Sequence, residues 1–133
     1  MTIEQRIQIA AMIVETSCRI YAPKDTGNLS INGIKSVYES GIWYVVIGGE
    51  VAPYAIDTNE PRVDGRPNRN EGWVQRAIEA VRPSIIGIFQ GVYTDTEIFN
   101  YLNTLSALAD VTTRERMKGV IDFDIGTKYQ ITY

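Results

Sequence analysis

Asp25-Thr26-Gly27 is the one string in this 133-residue chain with the residue types of a catalytic motif. The chemistry it suggests is proton sharing. Two carboxylates at close range cannot both ionise, so one serves as acid and the other as base. The string occurs once, so a second copy of the chain would have to supply the partner carboxylate. Its flanks favour a different role. A helical pattern and then Pro23-Lys24 precede it, and Asn28-Leu29 follow. Asp25 and Thr26 then serve as turn-capping side chains, and Gly27 supplies a permissive backbone.

Dimeric aspartic-type proteases place such an aspartate at the end of an apolar strand, with a small residue after the glycine. Neither condition holds here. Ile85-Ile86-Gly87, the nearest match to their second motif, falls in a helical pattern. The protease reading centred on Asp25 is therefore kept as an alternative. The chain has no histidine, which excludes Ser-His-Asp and Cys-His catalysis and removes the commonest zinc ligand. Its single cysteine, Cys18, falls on the apolar stripe of the first helix, where it reads as a small buried hydrophobe. Glu50, Asp57 and Glu60 lack the fixed spacing of a metal or acid/base site. Gly48-Gly49 lacks the surrounding pattern of a phosphate loop and reads as a strand exit. No catalytic residue, metal or cofactor is therefore expected.

Arg62, Arg66 and Arg69 share a loop with Asp64. They read either as a contact to an acidic partner or to passing DNA, or as a solvated loop. The aromatic residues, eight Tyr and two Trp, serve core or interface. Tyr54, Trp43, Arg62, Arg66 and Arg69 are the candidate interface residues.

A chain of this length buries a core without disulfide staples. Apolar and charged fractions of 44% and 22% are ordinary for a globular domain. The net charge of −3 and a pI near 4.9 disfavour tight non-specific nucleic-acid binding, which rests on basic side chains. A lone cysteine suits a reducing compartment. The first residues do not read as a signal peptide, and no apolar run is long enough for a membrane span.

These side chains must be positioned by a mixed set of elements. A helix is expected over about Thr2 to Tyr21, with a capping box at Thr2 and Gln5. Its apolar stripe comprises Ile3, Ile7, Ala10, Val14 and Tyr21, widened by Ala11 and Cys18. Arg6, Glu15 and Arg19 fall opposite. Leu29 to Glu39 reads as mostly extended, Glu39-Ser40-Gly41 as a hairpin turn, and Ile42 to Ile47 as a strand. The continuous apolarity of that strand implies cover on both faces, or closure of one face by another subunit. Asn59 to Asn70 reads as a poorly ordered, exposed loop. A helix follows from Asn70 or Glu71, with an apolar face of Trp73, Ala77, Ile78 and Val81, and Pro83 is expected to kink or split it. A further helix spans Asp95 to Ala109, with Ile98, Leu102, Leu105 and Leu108 or Ala109 as its stripe. Val120 to Tyr133 reads as a terminal β segment. Segregated strands and helices make the fold class α+β: a long N-terminal helix packed on a small antiparallel sheet, further helices and a C-terminal β segment.

One arrangement is more specific. A long helix runs into Ala22-Pro23-Lys24-Asp25-Thr26-Gly27-Asn28-Leu29, a hairpin follows, then Val51-Ala52-Pro53-Tyr54-Ala55, a Pro/Arg loop and a helix. Over about residues 1 to 82 this order resembles the tail-completion or head–tail connector (minor capsid) proteins of tailed bacteriophages. Ser30 stands where the family pattern has a basic residue. Ile56-Asp57-Thr58-Asn59-Glu60 replaces its v-E-x-G-T. The resemblance implies a connector-like α+β domain over residues 1–90, with residues 91–133 as a helix plus β arm, either part of that domain or docking on a neighbouring subunit. It implies a homo-oligomeric ring in the virion neck or tail, assembled in the host cytoplasm. The partners would be portal or adaptor and tail-tube proteins, with DNA in transient passage and no membrane. An intracellular adaptor whose arginine loop binds an acidic partner is the remaining alternative.

Overall fold

Thr2 starts the first helix through a reciprocal cap. Its hydroxyl accepts from the Gln5 N–H at 3.2 Å, and the Gln5 side chain accepts from the Thr2 N–H at 2.7 Å. The computed structural model describes residues 1–23, 29, 32–49, 52 and 54–108. Helix α1 spans Ile3–Tyr21 and stops where Ala22, the residue before Pro23, turns extended. Strands β1 (Ile34–Glu39) and β2 (Ile42–Ile47) form an antiparallel pair, followed by a short helix α2 (Ala55–Asn59), a long helix α3 (Trp73–Gln90) and α4 (Asp95–Leu108). The fold is α+β, with a long N-terminal helix beside a two-stranded sheet. The expected turn at 24–28, including Asp25, lies outside the described residues, as do the terminal β segment and the part of the expected 91–133 arm from residue 109 onward.

The hairpin turn needs positive φ at both central residues, and Ser40 (53°) and Gly41 (80°) supply it. That turn pairs Glu39 with Ile42 and fixes the register back to Ile34 opposite Ile47. The expected extension from Leu29 is shorter than anticipated. Leu29 and Asn32 are helical, and the Gly33 N–H donates to the Leu29 carbonyl at 3.0 Å. Gly48 leaves β2 at φ +96°, donating to the Gly33 carbonyl at 2.6 Å. A Cβ there would stand 3.0 Å from the Ala52 carbonyl oxygen and from Ala55 Cβ. Gly48→Ala should therefore cost about 1–3 kcal/mol, read as a lower urea midpoint at unchanged slope. Gly49, with nothing within 4 Å of such a Cβ, should tolerate Asn with a far smaller loss.

Two apolar clusters share α1. Its N-terminal half packs Ile9, Met12 and Ile13 against Val81 and Ile88 of α3 and Ile98, Phe99 and Leu102 of α4. Its C-terminal half packs Cys18 and Ala22 against Ile34, Ala52, Ala55, Trp73 and Ala77. Helices α1 and α3 are thus antiparallel, with the Ser17 hydroxyl donating to the Ala77 carbonyl at 2.7 Å.

With the sheet on one side and helices on the other, α1 is enclosed almost all round at mid-length, which overturns its expected polar face. Glu15 and Arg19 are buried, whereas Ile3, Ile7 and Tyr21 at the helix ends are exposed. The Glu15 carboxylate accepts from the Ser36 N–H, the Arg19 guanidinium donates to the Ile34 carbonyl, and the two charges lie 3.9 Å apart. Those backbone groups point away from β2, so the pair covers the outer edge of β1.

Helix α3 runs through Pro83 rather than splitting there. Pro83 and Glu79, whose carbonyl loses its partner, are both on the solvent side, where water can satisfy that oxygen. Ile78 is 37% exposed and does not belong to the buried face, which continues instead through Gly87 and Ile88. Thr94 and Glu97 form a second capping box at the start of α4. Leu102 of its expected stripe is fully buried, Leu105 half-buried and Leu108 exposed, while Ala109 lies outside the described residues.

Candidate interaction surface

Register decides which side chains share each face of the hairpin. Ile34, Ile47, Ser36 and Val45 face α1, and the Ser36 hydroxyl donates to the Ala11 carbonyl at 3.2 Å. The opposite face presents Lys35 beside Val46, Val37 beside Tyr44 and Glu39 beside Ile42. No described element packs on it: Ile42 is 53% exposed, Tyr44 48% and Val46 38%. Of the two expected arrangements for β2, cover on both faces is not seen among the described residues, and closure of one face by another subunit stays open. The strand's burial alternates, and the apolar outer face stays open. No third strand flanks β2 among the described residues.

Near the hairpin tip, α1 and the strands enclose a groove of about 280 Å³ lined by Glu4, Ile7, Gln8, Tyr38, Gly41 and Trp43. The Tyr38 and Trp43 rings lie 5.2 Å apart at 53°, a tilted pair at favourable distance. A second hollow of about 300 Å³ lies between α3 and α4, walled by Ile88, Tyr93, Ile98 and Tyr101. Glu97 at its rim is held below the usual carboxylate range by hydrogen bonds from Thr94, which commit it to the helix cap.

The arginine loop is exposed but more tightly tied than its composition implies. The Asn68 side chain donates to the Thr58 and Glu60 carbonyls at 3.0 and 2.8 Å, and accepts from the Asn70 N–H at 3.0 Å. The Asn59 side chain accepts from the Val74 N–H at 3.0 Å, and buried Trp73 donates from its indole to the Thr58 hydroxyl at 2.9 Å. Arg62 makes a two-pronged contact to Asp64 at 2.7 and 3.0 Å, holding that carboxyl below its ordinary range. Arg66 lies 3.9 Å from the same carboxylate, and Arg69 makes no ion pair among the described residues.

The five candidate residues do not converge. Trp43 is half-buried at the hairpin tip, whereas exposed Tyr54 precedes α2, beyond the far end of β2. Four residue steps lead from Trp43 to Ile47, about 13 Å of strand. The arginine loop continues from α2 at Tyr54's end of the molecule. Sequence reasoning missed Tyr38, Ile42, Tyr44 and Val46 as surface residues. The signal available was a strand apolar at every position, which has one more hydrophobic face than a two-stranded sheet on one helix can bury.

Among the described residues there is no group of three or more His, Cys, Asp or Glu disposed to hold a metal ion, and no helix long and apolar enough to cross a membrane. Cys18 is fully buried, and burial, reinforced by the Glu15 charge, pushes its thiol up to about 12. At pH 8 the thiolate is vanishingly populated, so iodoacetamide should label the native chain only as fast as it opens, and the unfolded chain at the ordinary thiol rate. Rapid native labelling would contradict that burial. The folded state retains this proton above the ordinary thiol pKa, so stability should fall as pH rises from about 9 towards 12.

Comparison with family models, curated proteins and solved structures gives no match to this chain.

Proposed function

We propose that this chain is a structural virion protein of a tailed phage, forming a homo-oligomeric ring at the head–tail neck or the top of the tail, through which DNA passes. It acts by assembly, without turnover, cofactor or metal. The observation that carries the reading is the open outer face of the hairpin, where Val37, Ile42, Tyr44 and Val46 form an apolar strip between Lys35 and Glu39. An exposed apolar surface rimmed by charge is what a protein–protein contact looks like before it is made. The resemblance over residues 1 to 82 gives that contact its context. The mild negative charge suits a channel that must pass DNA without gripping it.

Light scattering and negative-stain imaging of the full chain test the proposal, together with addition to particles that lack their neck. A closed ring, or density at the neck, supports it. A chain that stays monomeric and never joins particles refutes it. The protease alternative requires an Asp25-dependent cleavage that Asp25→Asn abolishes. Under the assembly reading that variant joins particles normally.

A further inference from the structure

We infer that the groove at the hairpin tip receives the arginine loop of the next copy of this chain, an inference that rests on the ring reading above and adds a second contact to that of the outer hairpin face. Placement comes first. Glu4 and Cys18 lie on α1 at opposite ends, about 21 Å apart along the axis at the helical rise. The groove sits at the Glu4 end. Trp73, which follows the arginine loop directly, packs at the Cys18 end. A subunit's own loop therefore does not reach its own groove. Two complementary surfaces at opposite ends of one subunit make a head-to-tail contact, which closes into a ring when the rotation per subunit divides a full turn.

Chemistry comes second. The groove offers aromatic walls from Tyr38 and Trp43 and a carboxylate at Glu4. Lysine and arginine do not line it. Arg6, nearest in sequence on α1, extends towards Gly91 at the end of α3. Lys35 is at the other end of the hairpin. Such a recess fits a guanidinium, which stacks on rings while bonding a carboxylate. The loop presents two such groups: Arg66, 77% exposed in its side chain and 3.9 Å from the Asp64 carboxylate that Arg62 already binds, and Arg69, without an ion pair among the described residues. Asn59 and Asn68 fix the loop backbone, so little ordering entropy is lost on docking.

Charge reversal tests the joint in the full chain. Glu4→Arg and Arg69→Glu should each raise the dissociation constant between subunits about tenfold or more, and their combination should recover most of the loss. Rings that form equally well in both single variants overturn the joint and leave the ring reading standing. A peptide of residues 60–70 added to the full-length chain gives an independent readout. It should shift the Trp43 indole resonance in the wild type and not in Glu4→Arg. Absence of that shift at millimolar peptide overturns the groove assignment, whatever the oligomeric state.

Discussion

Glu15→Ala should lower the unfolding free energy by about 3–5 kcal/mol, the loss expected when one partner of a buried charge pair is removed. Glu15 and Arg19 are 0% and 2% exposed. Removing the carboxylate leaves the Arg19 guanidinium inside the fold without its neighbouring negative charge. It also takes the acceptor from the Ser36 N–H, so the edge of β1 loses a backbone tie to α1. Total stabilities are about 5–15 kcal/mol, so the change consumes a large share of what holds the chain folded. Glu15→Gln should lose less, because an amide oxygen still accepts from Ser36. Glu15→Leu combined with Arg19→Met should recover much of the loss, since an apolar pair of similar volume has no desolvation penalty. Urea denaturation of the three variants beside the wild type measures all of this. A loss below about 1 kcal/mol for Glu15→Ala would show that the pair behaves as if solvated.

That pair also marks where the sequence was hardest to read. The i,i+4 spacing of Glu15 and Arg19 is visible in the chain, and on a solvated helix face it is a routine surface pair. Periodicity reports one apolar stripe, and a helix enclosed by a sheet on one side and two helices on the other has no polar face at its middle. The ends were misread for the complementary reason. Ile3, Ile7 and Tyr21 keep the apolar rhythm beyond the length that neighbouring elements cover. Local chemistry was the legible part. The Thr2–Gln5 cap, the stop before Pro23 and the turn at Ser40-Gly41 each depend on residues within four positions of one another. Pro83 misled because its effect depends on which way its side of the helix faces, and only packing sets that.

The candidate surface was legible by residue type and not by place. Trp43 and the arginines stand where aromatic and guanidinium groups can meet a partner, but at opposite ends of the fold. The order of the loop rests on Asn59 and Asn68, whose side chains bond backbone up to fifteen residues away. Such bonds have no period and no local spacing, so composition reads them as disorder.

The hairpin face gives the second large prediction, because stability and assembly should separate there. Tyr44→Lys and Ile42→Lys alter side chains already 48% and 53% exposed, on a face that no described element covers. Surface changes of this kind usually alter stability by about 0.5 kcal/mol or less, so the urea midpoint should hardly move. In the assembled state the same positions would be desolvated at the centre of the contact, where an aromatic side chain carries about 2 kcal/mol or more, roughly thirtyfold in affinity. A buried lysine without a partner adds to that loss. The paired substitution should therefore leave a folded monomer that neither forms rings nor joins particles, seen by light scattering at matched concentration. If the doubly substituted chain assembles like the wild type, the outer face is not the contact and the apolar strip needs another explanation. If it unfolds instead, the strip is already covered within the monomer, and the continuous apolarity of Ile42 to Ile47 was a signal of the chain's own core.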